Sequence, residues 1–309
     1  MGRGLMKRRW LLVLLALVTP LMVFGFIRWR QGTINGGQQY AEPFRIGGNF
    51  YYVGANDVTA FLITGPEGHV LIDGGYPGTA RMIIASIAEL GFDIRDVKIL
   101  LNSEPHYDHA GGLAELQKAS GAELWASDAS AASIESGGIG PDSYWPTKLF
   151  VWTRIARYLP ARVHHRFKDG DTIRLGPIEL TAHITGGHTK GCTSWSFPVR
   201  DGERELQVVH ACSLTVFSGL VRLVEPERYP GIRTDYERTF RVLRSLPVDI
   251  WVTTHARRFD RYRKFVERAK AEDPVAPFID REGYLAYIAS AEESFQRLLA
   301  EQQGKRDAE

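Results

Sequence analysis

A short apolar run, Val97-Lys98-Ile99-Leu100-Leu101, leads through Asn102 and Ser103 into Glu104-Pro105-His106-Tyr107-Asp108-His109-Ala110-Gly111-Gly112. The run reads as a buried strand. The segment after it crowds four metal-capable side chains, at 104, 106, 108 and 109, onto the strand's end. Alternate residues of an extended loop point at one spot, while adjacent ones diverge and can serve two neighbouring ions. Carboxylates and imidazoles this dense would repel or go unsatisfied without such a partner. A solvated polar loop is the plainer reading.

The chain has 309 residues, enough for one large domain or two small ones, and its 44% hydrophobic and 24% charged residues suffice for a full core. A net charge of +2 gives no reason to expect nucleic acid as a partner. The basic residues between 257 and 264 read as the solvated face of a helix. Arg3, Lys7, Arg8 and Arg9 precede an uncharged stretch at 10–27, which Arg28 and Arg30 follow. That order predicts a signal peptide or a membrane anchor over residues 1–30, with the remainder periplasmic or otherwise exported. Pro20 within the stretch and only a weak cleavage candidate, Val23-Phe24-Gly25, leave both forms open, and membrane contact is expected through this segment alone. A Gly- and Gln-rich linker at 31–39 then joins one domain at 40–309.

Strands are expected at 50–53, 60–64, 70–72, 97–101 and 124–126, with helices at 79–90 and 111–119 and another capped by Asp128. The stretch 137–160 is irregular and carries Tyr144, Trp145, Phe150 and Trp152, which suit either a rim or the core. Strands resume at 172–175, 178–183, 192–197 and 206–210. A helix at 236–246, a strand at 250–253 and two terminal helices follow, the last over 282–302. Two βα halves with sheets inside and helices outside fit this order. His188, in the turn Thr185-Gly186-Gly187-His188-Thr189-Lys190-Gly191, and His255, after a strand, are the further ligand candidates. His69, His164, His165, His183 and His210 read as strand or surface residues.

Together these elements resemble the metallo-β-lactamase superfamily, and subclass B3 most of all, over nearly the whole chain after the linker. The likeness includes Gly48-Asn49-Phe50-Tyr51-Tyr52-Val53-Gly54, Leu71-Ile72-Asp73-Gly74-Gly75, the metal loop, Gly187-His188-Thr189-Lys190-Gly191-Cys192-Thr193-Ser194-Trp195, and Ser213-Leu214-Thr215. The resemblance implies an αββα sandwich, two mixed β-sheets between outer helices, with two zinc ions at their shared edge. Glu104, His106 and His188 would hold the first zinc, and Asp108, His109 and His255 the second. A solvent hydroxide oriented by Asp108 would open a β-lactam ring, with Ser213 and Thr215 on the substrate carboxylate.

This chain departs from that pattern at Glu104, where the motif begins with histidine. A second carboxylate lowers Lewis acidity and offers zinc a less preferred donor, which predicts weaker occupancy of the first site. Alternatively, Glu104 turns away and acts as an outer support. A three-residue loop, Asp201-Gly202-Glu203, would set Cys192 opposite Cys212, as two packed thiols, as a disulfide, or with Cys212 as a zinc ligand, in that order. The expected function is zinc-dependent β-lactam hydrolysis conferring antibiotic resistance. The rivals are a lactone or ester hydrolase of the same superfamily, and a metal-depleted binding protein. Oligomeric state is not legible.

Overall fold

The computed structural model describes residues 38–140, 157–216 and 221–306. The signal or anchor segment, most of the linker, and Tyr144, Trp145, Phe150 and Trp152 lie outside them. Seven strands, β1 (Phe44–Gly47), β2 (Phe50–Tyr52), β3 (Phe61–Ile63), β4 (His69–Ile72), β5 (Val97–Leu101), β6 (Glu123–Ser127) and β7 (Val163–Phe167), form one sheet in sequence order. Pairing is antiparallel from β1 to β4 and parallel from β4 to β7. The second sheet holds β8 (Thr172–Leu175), β9 (Ile178–Ile184), β10 (Thr193–Asp201), β11 (Arg204–Ala211) and β12 (Ile250–Thr253). Its order is β12-β11-β10-β9-β8, with only β11 and β12 parallel.

Strand periodicity explains why both faces of the first sheet are apolar. Phe61, Ile63, Val70, Ile72, Ile99 and Leu101 alternate onto the face that meets Leu180, Ala182, Trp195 and Phe197 of the second sheet. Leu62, Leu71 and Leu100, between them in sequence, face the other way. They pack on Ile83 and Ile87 of α1 (Ala80–Glu89). After the short α2 (Tyr107–Ala110), α3 (Leu113–Ser120) adds Leu113 and Leu116, and α4 (Asp128–Glu135) adds Ile134. The second sheet's outer face is covered by α5 (Ile232–Ser245), then, beyond α6 (Arg261–Arg268), by α7 (Arg281–Arg306), through Phe240, Leu243, Tyr284, Ile288 and Phe295. Helices, sheet, sheet, helices: the αββα sandwich is realised. Leu100 is fully buried, and truncation to alanine costs about 2–5 kcal/mol.

Strands β5, β8 and β12 match their expected bounds, whereas β1 and β7 escaped notice. Three readings need correction. Ser127, not Asp128, caps α4, its hydroxyl accepting from the Ser130 amide at 3.3 Å. The basic stretch is not wholly solvated. Arg261 and Lys264 are buried, because Lys264 pairs with Asp280 at 2.7 Å and lies over Trp251, and Arg261 lies over Tyr52. The β10–β11 hairpin turns on two residues rather than three, since Asp201 pairs with Arg204. Gly202, at φ +61°, supplies the left-handed conformation that this tight turn requires. The register therefore shifts by one, yet Cys192 and Cys212 still meet just past the ladder, 5.9 Å apart at Cα, as a disulfide. Neither thiol is then free to pack as such or to ligate zinc.

Candidate metal centre

Every expected ligand lies at the C-terminal end of a strand or just beyond it, along one rim of the sandwich. β5 delivers Glu104 and His106, and α2 begins at once, with His106 as its N-cap and Asp108 and His109 in its first turn. The turn between β9 and β10 carries His188, and His255 follows β12. The two sheets are tied together here, because the Thr193 amide donates to the Ser103 carbonyl at 2.8 Å. Glycine is needed at 187, where φ is +132° and a Cβ would sit 2.6 Å from the Tyr236 ring.

The ligand atoms fall into two groups, Glu104, His106, His188 and Asp108, His109, His255, each within 4.8 Å of one another. In the first group Glu104 Oε2 lies 2.7 Å from His106 Nδ1 and 3.2 Å from His188 Nε2. In the second, Asp108 Oδ2 lies 3.3 Å from His109 Nε2 and 3.7 Å from His255 Nε2. Ligands at ~2.0–2.2 Å around a tetrahedral ion are spaced by about 3.3–3.6 Å, so the second set and the Glu104–His188 pair suit a divalent metal such as zinc. Glu104 and His106 instead sit at hydrogen-bond distance and would have to part slightly to share one. Glu104 faces the imidazoles rather than turning away. It also lies 3.6 Å, through Oε1, from His109 Nε2. The remaining five histidines lie on β4, β7, β9 and β11 and join neither group.

Electrostatics match a cation site. Burial pushes the Glu104 carboxyl up, but His188, His109 and the hydrogen bond with His106 outweigh it and hold the group well below its usual range. Asp108 is likewise lowered, burial being overcome by His109 and His255. The reciprocal effect pushes His109 up to about 10, Asp108 and Glu104 overcoming its burial. The neighbouring imidazoles thus favour the ionised form of both carboxylates.

Outer contacts fix the rings. His188 Nδ1 donates to the Thr215 carbonyl at 2.8 Å, which turns Nε2 toward Glu104. His255 Nδ1 faces Asp57 Oδ2 at 3.3 Å, and Arg257 braces the same oxygen at 2.6 Å. His109 Nδ1 faces Asp73 Oδ2 at 4.0 Å. Asp73 is buried with φ +65° and held by the Asn102 amide and the Ser103 backbone. Asp57 and Thr254 were missed in the sequence. Asp57 belongs to no periodic pattern, and its only signal was a polar Asn-Asp pair in a loop.

Ser213 is not open to a ligand. Its hydroxyl is buried and bonded to Glu104 Oε1 at 2.5 Å and to Thr254 Oγ1 at 2.7 Å. A substrate carboxylate needs a donor, and the single Ser213 proton is already engaged. Thr215 adjoins His188 through its backbone, and its side chain is half-buried.

Residues 53–255 match the family model "Metallo-beta-lactamase superfamily". Among solved structures the chain is similar to the Rm3 metallo-beta-lactamase, at 36% identity over 88% of this chain and 98% of that one, with a TM-score of 0.80. It is similar to the native FEZ-1 metallo-beta-lactamase from Legionella gormanii, at 35% identity, 86% and 98% coverage and TM-score 0.79. It is also similar to BJP-1, a subclass B3 metallo-beta-lactamase of Bradyrhizobium japonicum, at 34% identity, 87% and 98% coverage and TM-score 0.77. A curated relative, the hydroxyacylglutathione hydrolase of Jannaschia sp. (strain CCS1), is 28% identical over 142 residues, 46% of this chain and 44% of that protein. The chain belongs to the metallo-β-lactamase superfamily and is a metal-dependent hydrolase of that fold acting on a small molecule.

Proposed function

We propose that this member of the superfamily opens β-lactam rings, with zinc in both ligand sets, and so confers antibiotic resistance. The observation that carries the reading is the pairing of two complete, adjacent ligand sets with a likeness to solved β-lactamases that spans nearly their full length. Zinc, when bound, supplies Lewis acidity that polarises a carbonyl and lowers the pKa of water toward ~7. The chain's own groups do the rest. Asp108, whose Oδ2 lies between His109 and His255 and whose side chain is partly exposed, would accept a hydrogen bond from the attacking water through its carboxylate and orient it. The half-buried side chain of Thr215, whose backbone carbonyl holds His188, is the remaining candidate for the substrate carboxylate. Asp57 holds the His255 imidazole against rotation through its hydrogen bond, and Asp73 places negative charge behind His109.

A thioester or lactone is the second reading, supported by the partial likeness to a hydroxyacylglutathione hydrolase. Purified full-length protein supplied with zinc should hydrolyse a carbapenem or a penicillin faster than an acyl-homoserine lactone or a hydroxyacylglutathione. Turnover of the latter pair without lactam turnover would reverse the order.

Export is a further part of the proposal, resting on the basic-flanked apolar stretch at 10–27. Among the described residues no helix is long and apolar enough to cross a membrane. Cell fractionation with an antibody to the domain tests export, and protein confined to the cytoplasmic fraction would contradict it.

A further inference from the structure

Glu104 has two carboxylate oxygens, and they are treated differently. Oε2 faces His106 Nδ1 at 2.7 Å and His188 Nε2 at 3.2 Å, inside the first ligand set. Oε1 faces the Ser213 hydroxyl at 2.5 Å and lies only 3.6 Å from His109 Nε2 of the second set. An ionised carboxylate only accepts, so Ser213 must donate its one proton to Oε1. The 2.7 Å contact between Ser213 and Thr254 then has a fixed direction, with Thr254 donating to Ser213. Glu104 is 0% exposed, Ser213 4% and Thr254 1%, so water does not compete for these bonds. A charge-assisted bond in such surroundings is about twice as strong as a neutral one.

We propose that Ser213 and Thr254 are positioning residues for the first metal site. Through a relay from Thr254 to Ser213 to Oε1 they tie off one oxygen of Glu104 and present only Oε2 to the ion. Without the tie, Oε1 is free to chelate the first metal alongside Oε2 or to swing onto the second set. The carboxylate at 104 is longer and more flexible than the imidazole expected there, and a second anchor compensates for that freedom. The inference rests on the two-set metal reading, but not on any substrate.

Cobalt(II) titration of the full-length protein tests it, because absorbance in the visible falls sharply as coordination rises from four to five or six. In Ser213→Ala the first-site affinity should fall about tenfold and its cobalt band should weaken, while the second site is unchanged. Thr254→Val should lower the same affinity by about threefold. Ser213→Thr, which keeps a hydroxyl, should restore most of the loss. In a Glu104→Ala background, Ser213→Ala should change neither site further, since the relay acts only through the carboxylate. Equal losses at both sites, or the same loss in both backgrounds, would mean that Ser213 merely supports the fold and would overturn the proposal. Should Ser213→Ala fail to fold, an unchanged first-site affinity in Thr254→Val would overturn it equally. Wild-type protein that binds no cobalt at the first set would overturn the metal reading as well, whereas absent lactam turnover would leave this result untouched.

Discussion

The two ligand sets sit side by side and are supported in opposite ways. The second set, Asp108, His109 and His255, has carboxylates behind its rings, with Asp73 facing His109 and Asp57 facing His255. The first set, Glu104, His106 and His188, has one carboxylate ligand as the second has Asp108, but here that ligand is itself held by neutral hydroxyls. Outer carboxylates raise the basicity of imidazole donors, whereas hydroxyls donating to Glu104 draw charge away from its oxygens. Burial does not separate them, since Glu104, His109 and His188 are enclosed while His106 of the first set and Asp108 and His255 of the second keep some contact with solvent. Imidazoles braced by outer carboxylates in the second set, and a carboxylate with its charge drawn off by hydroxyls in the first, should therefore make the second set the stronger metal site.

The bluntest way to break the comparison is to delete one ligand from each set. His255→Ala and His188→Ala should each cost hydrolysis more than about a hundredfold, since even outer partners of metal ligands cost 10–100-fold. His255→Ala should also release the tightly held metal, which His188→Ala should retain. Metal analysis of the two proteins separates the sets, and identical stoichiometry would merge them into one. Asp57→Asn is the next probe. It removes the charge behind His255 and should weaken the second site by about 10–100-fold while leaving the first unchanged.

Glu104→His sharpens the contrast from the other side. Replacing the anion by a preferred nitrogen donor should strengthen zinc binding at the first site by roughly tenfold, as competition against a chromophoric chelator would show. No gain, or a loss, would mean that the site is built around the carboxylate. The smallest effect on metal is expected from the disulfide. It closes a loop of sequence separation 20 and braces the His188 turn against Ser213, both on the first set's side. Cys192→Ser with Cys212→Ser should cost about 3 kcal/mol of stability, measured by denaturant unfolding, and only a few-fold of first-site affinity. A larger loss at the second site would show that the bridge braces the whole rim.

Much of this was legible before the fold was known, and the pattern of misses has physical reasons. The ligands could be read because imidazoles and carboxylates at strand ends are costly unless used, so Glu104, His106, Asp108 and His109 announced themselves, and His188 and His255 completed them. β5 and β12 were found because three apolar residues in succession, Ile99-Leu100-Leu101 and Ile250-Trp251-Val252, mark a buried strand. β7, Val163-His164-His165-Arg166-Phe167, was missed because an edge strand alternating with solvent carries its polar residues openly. The hairpin register was misplaced by one because Gly202 accepts a left-handed conformation that sequence does not reveal. Asp57, Thr254 and the true partner of Ser213 were out of reach, since each acts only across a distance set by the fold. Ser213 lies 109 positions from Glu104 and 41 from Thr254.

The inequality of the two sets is tested most directly by counting zinc. Full-length protein dialysed against a buffer that fixes free zinc at a low level should retain one equivalent per chain, and a second should bind only as free zinc is raised. Retention of two equivalents under the same dialysis would contradict the inequality, and with it the role assigned here to Glu104.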